Sequence, residues 1–175
     1  MIIQRHKTGL HYYIMMGVCV MLLLTGCGIY SFKDSNIPAS IKTVKIGFID
    51  NKARYINPQL GQKFTDKIQQ KIVSGTKLTR TNEDNADYVI NGTITNYDGT
   101  QTVGVSSQQA SVNRLTVTLH MVLRKNQTNE TEEFDVSRNF DYPASFSFQQ
   151  GEASLLDEVV RTLTDDIFNR IFSNW

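Results

Sequence analysis

The chain has 175 residues, with 18 basic and 17 acidic side chains and a net charge of +1, so no strong overall field marks it for nucleic acid. Two cysteines and three histidines leave little for metal or nucleophile chemistry. Structural zinc takes about four Cys or His ligands and catalytic zinc about three, and a Ser-His or Cys-His pair needs partners that are scarce here.

In chain order, a short basic start with Arg5 and Lys7 precedes an apolar run over residues 14–24, and small residues follow in Leu24-Thr25-Gly26-Cys27. That order is the order of a secretory signal. The run is too short to cross a bilayer as a helix, which needs roughly 20 apolar residues, so residues 1–26 read as a cleaved signal. The closing tetrapeptide resembles the lipobox of bacterial lipoproteins, in which diacylglycerol is joined to the cysteine sulfur before cleavage and the new terminal amine is then acylated. Cys27 is the expected lipidation site. Two or three acyl chains, at about 0.8 kcal/mol per buried methylene, hold a protein on a membrane without a spanning segment. Cleavage before Cys27 removes Arg5, His6, Lys7, His11 and Cys19, leaving 149 residues with 16 basic and 17 acidic side chains, one cysteine and one histidine, His120. No disulfide can form within such a chain, which is the usual size of a single domain.

Residues 28–40, polar and containing Pro38, read as a tether. From 42 to 49 the chain alternates, with Val44, Ile46 and Phe48 on one side and Thr43, Lys45 and Gly47 on the other, the period of a half-buried strand. Asn57-Pro58 is a helix-start signal. Leu60, Phe64, Ile68 and Ile72 then recur every four residues up to a stop at Ser74-Gly75, which predicts an amphipathic helix. Residues 77–80 are a possible short strand, followed by a turn over 82–85.

Alternation returns from Asp87, with Tyr88, Ile90 and Ile94 opposing Val89, Asn91, Thr93, Thr95 and Tyr97. It recurs from 114 to 124, where Leu115, Val117, Leu119, Met121 and Leu123 oppose Thr116, Thr118, His120 and Val122. Between these strands, residues 99–113 are rich in Gly, Ser, Thr and Gln and form either a long loop or an extension of both strands into a hairpin; loops of that length are often functional. A turn over 126–129 leads to a strand over 132–141 with Phe134, Val136 and Phe140 inward and Arg138 interrupting. A second helix is expected from about 152 to 173, its stripe made by Leu155, Leu156, Val159, Val160, Leu163, Ile167, Phe168, Ile171 and Phe172. The expectation is an α+β domain over 41–175, with two helices packed on one face of a roughly four-stranded, mostly antiparallel sheet and the other face open.

That open face, bearing Thr, Asn, Tyr and Val, can dock a protein or an amphiphile, or can simply be the wet face such sheets normally keep. The acidic pairs Asp157-Glu158 and Asp165-Asp166 do not converge, because neighbours on a helix point about 100° apart. They read as a solvated helix face and no catalytic residues are expected. His120, on the Thr-bearing side of its strand, meets either a phosphate or water. The Asn-x-Thr sequons at Asn91, Asn126 and Asn129 read as chance matches among abundant Asn and Thr.

Several short stretches of the chain resemble the LptE family of lipopolysaccharide-assembly lipoproteins, in the form found in Bacteroidetes-like bacteria. They are Cys27-Gly28-Ile29-Tyr30-Ser31-Phe32, Ile41-Lys42-Thr43-Val44, Asn113-Arg114-Leu115-Thr116-Val117, Asp166-Ile167-Phe168-Asn169 and the terminal Asn174-Trp175. The resemblance implies a non-enzymatic protein, lipid-anchored at the outer membrane and facing the periplasm. Such a protein sits as a plug in the lumen of the LptD barrel, helps that barrel assemble and contacts lipopolysaccharide. It implies no cofactor beyond the covalent lipid on Cys27, no metal and no nucleic acid. Gly28 stands where an Asp would resemble an inner-membrane retention signal. Lipid A phosphates would seek cations, for which Arg114, Arg124 and Lys125 are the candidates; ordinary strand-end charge is the plainer reading of each. The alternative is another periplasm-facing outer-membrane lipoprotein that binds peptidoglycan or a different envelope complex.

Overall fold

The computed structural model describes residues 37–103 and 112–173. The signal, Cys27, the first part of the tether, the centre of the 99–113 segment and the terminal Asn174-Trp175 lie outside the described residues. The elements are β1 (Thr43–Asn51), α1 (Leu60–Gly75), β2 (Thr79–Arg80), β3 (Tyr88–Val103), β4 (Val112–Lys125), β5 (Glu130–Pro143) and α2 (Phe148–Phe172). The strands form one sheet in the order β2-β1-β3-β4-β5. β1 runs parallel to both β2 and β3, while β3, β4 and β5 are antiparallel. This is the expected α+β build, with a fifth strand because Thr79 and Arg80 pair with Thr43 and Val44.

Both helices pack on one face of the sheet. The stripe Leu60, Phe64, Ile68 and Ile72 is buried as its four-residue spacing predicts, against Val44, Ile90, Ile94, Leu115, Leu119 and Met121 from the sheet and Val159, Leu163 and Ile167 from α2. Burying each large side chain contributes about 1.5–3 kcal/mol. The core of interlocked side chains is what a domain without disulfides relies on.

Alternation assigns most positions correctly and fails at two bulges. Ile46 pairs with Ile90 but Ile49 pairs with Gly92, so β1 spends three residues where β3 spends two. The extra residue turns Phe48 out, 56% exposed, and Ile49 takes the inward place. In β3 the same happens in reverse: Ile94 opposes Leu119, yet Asn96 opposes Thr118. Tyr97, expected on the open face, therefore points into the core.

The helix starts also differ from expectation. α1 begins at Leu60, after Asn57 has bent the chain by accepting the Gln59 backbone N–H on its side-chain oxygen. α2 begins four residues early, because Ser147 and Gln150 form a capping box in which each side chain accepts the other's backbone N–H. Residues 99–113 resolve the two readings left open: the strands extend, and Val103 pairs with Val112.

The parallel and antiparallel strands give the domain two distinct ends. At one, the chain enters: Ile37 packs on the core and the Ser40 carbonyl accepts Gln127 from the β4–β5 turn. At the other lie the C-terminal ends of β1, β3 and β5, the N-termini of both helices and the base of the β3–β4 hairpin.

Candidate functional site

The open face is a ladder of paired polar side chains. Because β4 and β5 are in register over their whole length, each outward residue of one meets an outward residue of the other. Arg114 grips Asp141 through Nε and Nη2 at 2.7 and 2.9 Å. Thr116 donates to Asn139 at 2.9 Å, and the Thr118 and Ser137 hydroxyls meet at 2.8 Å. His120 Nδ1 lies 2.8 Å from Asp135, and its Nε2 lies 3.6 Å from Glu133. The surface is rich in hydroxyls and amides, and its Arg114 is matched by Asp141 across the strands.

The three candidate cations do not converge. Arg114 lies at the start of β4, its guanidinium pushed up by the Asp141 hydrogen bond while the same bond holds the Asp141 carboxyl below its usual range. Arg124 lies at the far end of the same face, donating to the Asp84 carbonyl at 3.3 Å. Ten residues of strand at about 3.4 Å each separate them. Lys125 points to the opposite side, paired with Glu132, and that hydrogen bond raises its pKa. Three of the four acidic residues set aside from catalysis are ion-paired: Lys63 to Asp157, Lys71 to Asp165 and Arg138 to Asp166. Arg138 interrupts the stripe of β5 because it reaches across to α2.

The aromatic end was not anticipated. Glu152, buried on the first turns of α2, accepts hydrogen bonds from the Tyr97 hydroxyl at 2.9 Å, the Tyr55 hydroxyl at 3.2 Å and Asn57 Nδ2 at 2.6 Å. Burial first, and then the Glu152 carboxylate, push both tyrosine hydroxyls up, so they remain donors at physiological pH. The Tyr55 and Tyr97 rings stack at 5.8 Å, and Phe148 meets Tyr55 edge-on at 5.0 Å. Phe148 lies so close over Gly99 that a Cβ there would be 2.1 Å from its ring, and a Cβ on Gly151 would be 2.4 Å from the Tyr142 ring. Four large apolar residues are exposed in this half of the domain, Phe48, Tyr55, Ile56 and Phe146; Val73 on α1 is the only other among the described residues. The sequence does not announce the cluster, because simple alternation puts Tyr97 on the open face and the apolar stripe of α2 puts Glu152 at a helix start. The run Arg54-Tyr55-Ile56 before the helix signal was the available clue. No group of three or more His, Cys, Asp and Glu side chains suited to a metal occurs among the described residues, and no described helix is long and apolar enough to cross a membrane.

Comparison with solved structures finds similar chains at low identity. The hypothetical protein CT253 from Chlamydia trachomatis superposes with a TM-score of 0.50 at 11% identity, covering 74% of this chain and 95% of that one. PelC, a dodecamer from Paraburkholderia phytofirmans, gives 0.49 at 14% identity over 78% and 91%. A minor lipoprotein from Acinetobacter baumannii gives 0.43 at 16% identity over 76% and 97%. Comparison with curated proteins gives no match. The sequence model of the family described as LptE, lipopolysaccharide-assembly, matches residues 41–171, a span that runs from the start of β1 to the end of α2 and takes in every element of the sheet and both helices. By that match the chain belongs to the LptE lipopolysaccharide-assembly family.

Proposed function

We propose that the protein is a non-enzymatic, lipid-anchored component of lipopolysaccharide transport, held at the outer membrane by acyl chains on Cys27. In this reading it faces the periplasm and sits inside the lumen of an LptD-type barrel as plug and assembly partner. Family membership supplies the process; the observation that carries the plug reading is the open sheet face. A barrel lumen of this kind is polar, and a partner seated in it must offer hydrogen-bonding groups without a large unpaired charge. The Thr116–Asn139 and Thr118–Ser137 rungs do so, with Arg114 and His120 matched to Asp141 and Asp135. Contact with lipopolysaccharide phosphates falls to Arg114, Arg124 and Lys125 as separate points along the path, each already beside an oxygen acceptor that a phosphate would displace.

The test is site-specific photo-crosslinking in intact cells, with the reactive side chain placed at Thr118 on the open face, at Ile56 on the aromatic end, or at Val73 on α1. Capture of an LptD-type barrel from Thr118 or Ile56 is expected. Failure of both positions to capture a barrel while the protein accumulates normally would remove the plug reading.

A further inference from the structure

Beside the Glu152 cluster, the aromatic end opens into a cavity of about 540 Å3 lined by Arg54, Tyr55, Asn96, Tyr97, Asp98, Gly99 and Phe148. It is distinct from the open sheet face and from the three cations of β4. Its volume lies in the range of small-molecule sites, about 300–1,000 Å3 with mainly aromatic walls and a few placed polar groups. The floor is preformed. Tyr97 is 2% exposed and locked by its bond to Glu152, while the Tyr142 hydroxyl donates to the Gly99 carbonyl at 3.1 Å, fixing the strand beneath Phe148. Tyr55 is held at its hydroxyl by Glu152 yet remains 40% exposed, so its position is fixed while part of its surface is available.

The lining discriminates among ligand classes. Phosphate binding is built from convergent cations or bidentate guanidinium contacts; here one guanidinium, Arg54, shares the wall with the Asp98 carboxylate and the Glu152 carboxylate lies behind the two tyrosines, so no positive charge gathers. An acyl chain would strip water from the exposed Arg54 and Asn96 without replacing their hydrogen bonds, which is costly. A pyranose ring has an apolar C–H face and an edge of hydroxyls that both donate and accept. Rigid aromatic rings set among an amide, a carboxylate and a guanidinium suit both parts. We infer that this cavity binds an uncharged saccharide ring, with Tyr55 as the stacking plate and Arg54 and Asn96 taking the hydroxyls. The choice of source, the sugar portion of lipopolysaccharide, rests on the proposed function; the saccharide chemistry rests on the cavity.

Saturation-transfer NMR on the full-length protein in detergent tests it with three probes: lipid-free, dephosphorylated core oligosaccharide from the producing cells, lipid A, and the N-acetylglucosamine–N-acetylmuramic acid disaccharide. Core oligosaccharide is expected to show transfer, to weaken at least tenfold with Tyr55→Ala and with Arg54→Gln, and to be unaffected by Phe48→Ala. Tyr55→Phe keeps the ring and is expected to keep binding even where Tyr55→Ala loosens the Glu152 cluster. Arg54 is exposed, so its variant retains the fold. Transfer to lipid A alone, or core binding indifferent to both Tyr55→Ala and Arg54→Gln, overturns the inference. Transfer to the disaccharide alone keeps the saccharide site and counts against the lipopolysaccharide source. Recovery of the barrel with the wild-type protein, measured in parallel, separates the two ideas: barrel present with no saccharide bound sinks only the cavity.

Discussion

At the scale of single residues, Asp87 fixes the point where the chain enters the fold. Its Oδ2 accepts the backbone N–H groups of Lys42 and Thr43 at 2.8 and 2.9 Å and the Thr43 hydroxyl at 2.9 Å, while Oδ1 accepts Gln127 at 2.8 Å. The two backbone donors, followed by Gln127, hold its pKa down to about 2, against an ordinary 3.8. A carboxyl depressed on folding stabilises the protein above its unfolded pKa and loses that contribution as pH falls through the folded value. Its share is therefore complete above about pH 4 and lost towards pH 2. Asp87→Asn is expected to lower stability by about 1–2 kcal/mol at pH 7, measured by urea unfolding, with the difference from wild type shrinking at pH 2. Glu152→Ala removes the acceptor of three donors and leaves the buried Tyr97 hydroxyl unsatisfied, an expected loss of about 1–3 kcal/mol in the same assay. Thr164 works the other way. Its hydroxyl is buried on α2 without a partner, so Thr164→Val should be neutral or stabilising by up to about 1 kcal/mol.

Among the elements, α2 depends on its first turn. Ser147→Ala removes one arm of the capping box and should cost about 1 kcal/mol, read as a lowered midpoint in thermal unfolding followed by circular dichroism. The box was legible as Ser147-Phe148-Gln149-Gln150, but the apolar stripe that starts at Leu155 drew the expected helix start to residue 152. The stripe of α1, the antiparallel run of three long strands and the inward set of β4 were legible because each keeps one period throughout. Phe48 and Tyr97 were not, since an inserted residue in β1 and another in β3 shift the alternation, and only the pairing partner reveals the insertion. The site was legible in part for the same reason. Arg114, Arg124 and Lys125 stand out in the sequence, whereas their matching by Asp141, the Asp84 carbonyl and Glu132 is a property of register. The Glu152 cluster joins residues 55 and 97 positions apart in sequence, Tyr97 and Tyr55 with the helix that follows β5, and no local pattern announces it.

For the whole molecule, the point where the chain enters the fold and the aromatic cavity lie at opposite ends of the domain. The chain enters beside Asp87 and the β4–β5 turn, and the ten residues from Cys27 to Ile37 can span at most about 36 Å. β4 alone, at 14 residues, extends roughly 48 Å. In the proposed reading, a lipid on Cys27 holds the domain through the end at which the chain enters the fold. Cys27→Ser is expected to remove the protein from the outer-membrane fraction while leaving the domain folded, as followed by fractionation and circular dichroism. The most direct measurement of the central claim is affinity purification of the full-length tagged protein from detergent-solubilised outer membranes, with mass spectrometry of what accompanies it. A barrel of LptD type in near-equal amount is the predicted result. Recovery of the protein alone, or with cell-wall fragments in place of a barrel, would contradict it.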